Sequence, residues 1–188
     1  MLQHIQAFFS AVAAGKIEIY NEFSLQHELG LFLRSCRTAE KIQFERNVSF
    51  FSFARDRFIK KEIDISLFAT AERPISAIEL KFPRRGQHPE QMFKACQDIF
   101  FLEQLVAAGF REGYFIMVAD DPLFYRGDFL AGIYAFFRGD TPISGQIFGP
   151  TGDTTRQINI GQRYNVQWQD VTGSLRYFVI HIARKNEA

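Results

Sequence analysis

The run YFIMVA, Tyr114 to Ala119, leaves no polar position on either side of a strand. Successive side chains of a strand point to opposite faces, so such a segment must be covered on both. Just upstream, Pro89 and Glu90 open a stretch in which Met92, Cys96, Ile99 and Val106 recur at helical spacing and Gly109 closes it. A helix leading into a strand of this kind calls for a sheet with helices over both faces. The 22 phenylalanines supply ring area for its core.

The rest of the chain fits that frame. Helical periodicity covers 2–14 and about 24–36, with Gly15 and Asn21 near the break. Strand-like segments follow near 41–54, 61–69 and 75–82, the last two joined by a turn at TAERP. A short helix is expected at 128–138, loops with short strands over 139–174, and a closing strand at RYFVIHI. The GPTGDTT segment, 149–155, lacks the lysine of a phosphate loop and reads as a turn. The expectation is an α/β single domain over 1–188, with a mixed central β-sheet flanked by helices.

Two strand segments carry charges where a covered sheet should not. In SAIELKFP, 76–83, Ile78, Leu80 and Phe82 share one face while Glu79 and Lys81 share the other. In KKEIDISL, 60–67, Ile63, Ile65 and Leu67 share a face and Asp64 points away. A hairpin that aligns the apolar faces pairs residues whose numbers sum to 143, so Ile65 meets Ile78, Ile63 meets Leu80 and Asp64 meets Glu79. Like charges directly opposite destabilise a sheet, and burial raises the cost. Lys81 supplies one compensating charge from the diagonal position. A divalent cation supplies two, and an all-oxygen ligand set suits Mg²⁺ or Mn²⁺. A third acid, Glu28, falls on the Leu25, Leu29, Phe32, Leu33 stripe of its helix, from where it could reach the same cluster through a metal-bound water. Taken singly, each of these charges also fits an ordinary solvated face.

Bulk properties exclude several alternatives. The net charge is +1, so affinity for a polyanion would have to be local. Cys36 and Cys96 lie outside any metal-binding spacing and read as free thiols of a reducing compartment. No apolar run is long enough to span a bilayer, and IQAFFSAVAAG, lacking a basic start, reads as a surface helix, which makes the cytoplasm the expected location.

The order Glu28 on a helix, Asp64 on a strand, Glu79-x-Lys81 on the next strand and then a helix resembles the PD-(D/E)XK nuclease superfamily. The resemblance spans about residues 20–120, with Ile63 in place of the proline of the family's name. It implies a restriction-endonuclease-like αβββαβ core, with 121–188 as a C-terminal extension, and metal-dependent hydrolysis of nucleic-acid phosphodiesters, DNA ahead of RNA. Asp64, Glu79 and the backbone carbonyl of Leu80 would hold Mg²⁺ or Mn²⁺, with Glu28 acting through water or on a second ion. Lys81 would orient or help deprotonate the attacking water and stabilise developing charge. Gln91 matches a helical glutamine of several such nucleases, or faces solvent. Glu45 is either a neighbour of the cluster or an exposed strand acid.

Lys60 and Lys61 precede the Asp64 strand and Arg84 and Arg85 follow the Lys81 strand, so in the hairpin all four emerge at one end, placed for phosphates or as a solvated edge. Sequence preference would come from loops, from a homodimer or from a partner protein. The alternatives are a nucleic-acid-binding or scaffold protein that keeps the fold without turnover, and a structural ion-pair network.

Overall fold

The computed structural model describes residues 1–84, 86–150 and 155–184. Helix α1 spans Leu2–Ala13 and α2 spans Glu22–Cys36. Strands β1 (Lys41–Asn47), β2 (Glu62–Phe68) and β3 (Pro74–Lys81) lead into the long helix α3 (His88–Ala108), followed by β4 (Glu112–Ala119). A short helix α4 (Tyr134–Arg138) precedes β5 (Ile143–Phe148), β6 (Gln157–Tyr164), β7 (Gln169–Thr172) and β8 (Leu175–Ala183).

Six strands form one mixed sheet in the order β1-β2-β3-β4-β8-β7. Strands β3 and β4 are parallel, joined through α3, and the other neighbours are antiparallel. Strands β5 and β6 form a separate hairpin. Glu103 of α3 pins it: its carboxylate accepts the Gly161 and Gln162 amides at 2.8 and 2.9 Å and the Tyr164 hydroxyl at 3.0 Å.

Local chemistry explains the elements that frame the site. Asn21 caps α2: its side chain accepts the Ser24 amide at 2.8 Å, and Ser24 Oγ accepts the Asn21 amide at 3.0 Å. Helix α3 starts with Pro89 in its first turn and stops at Gly109, whose φ of +151° favours glycine. The sheet is buried on both faces. Leu25, Leu29 and Leu33 of α2 pack with α1 against Ile65, Leu67, Ile78 and Leu80. Helix α3 and the β5–β6 hairpin cover the other face, over Ala77, Phe115, Met117 and Phe178. Tyr114 to Ala119 is buried throughout, as its unbroken apolar character requires.

Several boundaries differ from the sequence reading. The first strand ends at Asn47, and a 3₁₀ turn occupies Val48–Phe51. The helix expected over 128–138 is confined to Tyr134–Arg138. Residues 151–154 of the expected turn at 149–155, and Arg85, lie outside the described residues. Ile63 is the main correction within the core. It packs on the α3 side while Ile65 packs on the α2 side, so the chain turns over at Asp64 instead of continuing the alternation.

Candidate active site

The register between β2 and β3 is the expected one: Ile65 opposes Ile78, Ser66 opposes Ala77 and Leu67 opposes Ser76. The regular pairing stops at Ile65. Beyond it, carboxylates bind the neighbouring strand's backbone. Leu80 N–H donates to Asp64 Oδ2 at 2.7 Å, and Asp64 N–H donates to Glu79 Oε1 at 3.2 Å. Two acids that would repel across a regular ladder are held by amide dipoles instead.

The same break shows on the other side of β2. Phe44 opposes Ile65 and Arg46 opposes Ile63, but Glu45, which falls opposite Asp64, has a φ of +48°. A left-handed backbone at a non-glycine residue is uncommon and costs free energy. Gln26 of α2 spans the gap: its Nε2 donates to Glu45 Oε1 at 2.6 Å and to the Asp64 carbonyl at 2.8 Å.

Glu79 is fully buried beneath α3, which brings a third acid, Asp98, itself 4 % exposed. Two lysines serve these carboxylates. Lys60 Nζ pairs with Glu79 Oε2 and lies 2.9 Å from Asp98 Oδ1. Lys81 Nζ lies 3.3 Å from Asp98 Oδ2 and 3.6 Å from Glu22 Oε1. The Lys81 contact is off the hydrogen-bonding direction, so Asp98 Oδ2 is buried without a hydrogen-bond partner. Glu22, in the first turn of α2, also accepts the Phe82 amide at 2.8 Å.

Three buried or half-buried acids thus share two ammonium groups, and their proton affinities follow. Burial pushes the Asp64 carboxyl up to about 6, against the pull of Lys60 and of the Leu80 amide. Burial, and then Asp64, hold Glu79 well above the usual carboxylate range. Burial disfavours the charge on Lys60, but Glu79, Asp98 and Asp64 outweigh it and raise its pKa above that of an ordinary lysine. Lys81 is raised too: burial opposes its charge, while Asp98 and Glu22 more than compensate. Both amines therefore keep their protons at neutral pH.

The remaining candidates divide. Leu80 takes part through its amide, as the donor to Asp64. Lys60, expected to face phosphates beside Lys61, turns inward to the acids, because two desolvated carboxylates attract it more strongly than water does; Lys61 stays exposed. Arg84 pairs with Asp120 at 2.6 Å. Glu28 pairs with its neighbour His27 at 3.3 Å, and the α2 acid that reaches the cluster is Glu22, nearly two turns earlier. Gln91 is half-buried in the first turn of α3, its amide closing on the Gln87 carbonyl. Glu45 lies beside the cluster through Gln26. The sequence reading missed Asp98. Its signal was a carboxylate between Ala95 and Leu102 on the stripe that α3 buries.

Among the described residues, no group of three His, Cys, Asp or Glu side chains is arranged to hold a metal ion as it stands. Lys60 stands between two of the acids. The acidic donors are nonetheless all oxygen, and Asp98 Oδ2, 3.3 Å from Lys81, accepts no hydrogen bond, which leaves it able to serve a hard divalent cation. Among the described residues, no helix is long and apolar enough to cross a membrane. Compared with family models, curated proteins and solved structures, the chain matches none.

Proposed function

We propose that the chain is a metal-dependent nuclease with a restriction-endonuclease-like core, acting on DNA ahead of RNA. The observation that carries this reading is the meeting of Asp64, Glu79 and Asp98 with Lys81 where the β2–β3 ladder breaks. Buried acids of like charge are costly to a fold unless they serve a cation or a reaction. Asp64, Glu79 and Asp98 would hold Mg²⁺ or Mn²⁺, which when bound lowers the pKa of water and offsets charge on a phosphate.

The chain's own groups have distinct tasks. Lys81 retains its proton, so it stabilises negative charge developing on the phosphate and is not the base. Asp64, with a carboxyl near 6 in the ion-free protein, is ionised at neutral pH, as a cation ligand must be. Gln26 positions Asp64 by holding its carbonyl. Lys61, and Arg84 with its partner Asp120, are exposed at the same end of the hairpin, where they would meet a phosphate backbone.

A second reading is favoured by Lys60: its ammonium already serves Glu79 and Asp98, as it would in a catalytically silent protein stabilised by an ion-pair network. A cleavage panel separates the two. Single-stranded, duplex and branched DNA and RNA are incubated with Mg²⁺, with Mn²⁺ and with EDTA. Cation-dependent cleavage of any of them supports the nuclease; inertness throughout supports the network.

A further inference from the structure

We infer that Lys60 is an exchangeable internal cation: it holds Glu79 and Asp98 in the ion-free protein and yields its place to a divalent cation bound by the same two carboxylates. The inference rests on the metal-dependent reading and adds to it a ligand, Asp98, and a competitor, Lys60.

Position makes the two cations exclusive. Lys60 Nζ bridges Glu79 and Asp98, in the space that a divalent cation shared by the same two carboxylates would fill. With all groups ionised, Asp64, Glu79, Asp98 and Glu22 contribute four negative charges, and Lys60 and Lys81 two positive ones. Replacing the single charge of Lys60 with a divalent cation lowers the excess from two negative charges to one. Adding a divalent cation while Lys60 stays would place two cations against the same oxygens, so binding and displacement go together.

Ligand geometry points the same way. Lys60 reaches only Oδ1 of Asp98, and Lys81, 3.3 Å from Oδ2, makes no hydrogen bond to it. A divalent cation takes six or more oxygens and can use it. The unsatisfied atom is therefore a vacancy in the lysine-filled arrangement that the ion-filled one can complete.

The backbone lets the side chain leave. Ile59 N–H donates to Gln104 Oε1 at 3.0 Å, Gln104 Nε2 donates to the Arg57 carbonyl at 3.1 Å, and Val48 N–H donates to the Lys61 carbonyl at 2.9 Å. The chain is thus pinned on both sides of Lys60. Its side chain is 32 % exposed and borders an open depression lined by Glu45, Ile59, Lys61, Glu62 and Asp64. A rotamer change moves the ammonium into that depression, beside Lys61, where it can meet a phosphate. Ion loading and the display of a second phosphate-binding lysine then become one event.

The test compares Mn²⁺ binding by isothermal titration calorimetry in the wild type and Lys60→Ala. In parallel, reductive methylation of the wild-type Lys60 amine is followed by mass spectrometry with and without Mn²⁺. Exchange predicts that Lys60→Ala binds Mn²⁺ at least about tenfold more tightly. It also predicts that Asp98→Asn abolishes the gain and that wild-type Lys60 is methylated severalfold faster once Mn²⁺ is added. Should Lys60→Ala fail to fold, the methylation rate decides. Equal affinities, or a methylation rate unmoved by bound Mn²⁺, overturn the exchange and leave the metal-dependent reading standing. No Mn²⁺ binding by either protein overturns both.

Discussion

Asp64 and Glu79 are each bound to the backbone of the other's strand: Glu79 Oε1 accepts the amide of Asp64, and Asp64 Oδ2 accepts the amide that follows Glu79. The two strands are therefore joined at this level by side chains, and acid chemistry and sheet integrity are coupled at one point.

That coupling has a pH signature. The Asp64 carboxyl is near 6 in the fold against about 3.8 in the open chain, so between those values the folded protein holds a proton that the unfolded one has lost. Its contribution to stability is largest below about pH 4 and is lost as pH rises through about 6, a change of roughly 3 kcal/mol. Asp64→Asn keeps an acceptor for Leu80 and removes the titration. In EDTA, urea unfolding from pH 4 to 7 should show the variant gaining about that amount relative to wild type. A pH-independent difference would contradict the assignment.

Gln26 bridges Glu45 and the Asp64 carbonyl through its side-chain amide. Gln26→Ala leaves the Asp64 carbonyl without that donor. A loss of about 1–2 kcal/mol in stability is expected, read by denaturant unfolding. No change would mean that water serves the carbonyl equally well.

Helix α2 must lie close to β1 for Gln26 to reach. Gly30 permits this, because a Cβ there would collide with the Phe44 ring. Gly30→Ala should cost about 1–3 kcal/mol through overpacking. Phe44→Leu in the same chain should recover part of that cost. If the double variant shows no recovery, the contact is not the cause.

Asn21 fixes where α2 begins, and so where Glu22 sits relative to Lys81. Asn21→Ala removes one half of the capping box, and thermal unfolding should report a loss of about 1 kcal/mol.

Much of this was legible in the sequence, and particular residues show why. The β2–β3 register followed from matching Ile65 with Ile78, because a slip of one residue would have turned the apolar side chains out of the core. The continuous apolar run of β4 announced a strand covered on both faces. The break at Asp64 was not legible. Alternation predicted that Ile63 would stay with Ile65, and only the positive φ of Glu45 and the hydrogen bonds of Asp64 reveal the turnover. From sequence Lys60 looks like a surface charge, because sequence distance hides Asp98, 38 residues away on α3. Glu28 and Glu22 differ by less than two turns of one helix. Choosing between them required knowing the angle at which α2 crosses the sheet, which no periodicity supplies.

If these acids form a cation-dependent phosphodiesterase site, the Mn²⁺-dependent cleavage rate must differ between wild type and Glu79→Gln, with folding checked by circular dichroism. Cleavage by the wild type is expected, with a loss of at least about 100-fold in a variant that still folds. Undiminished cleavage by Glu79→Gln, or a wild type that cuts no nucleic acid with either cation, would contradict it.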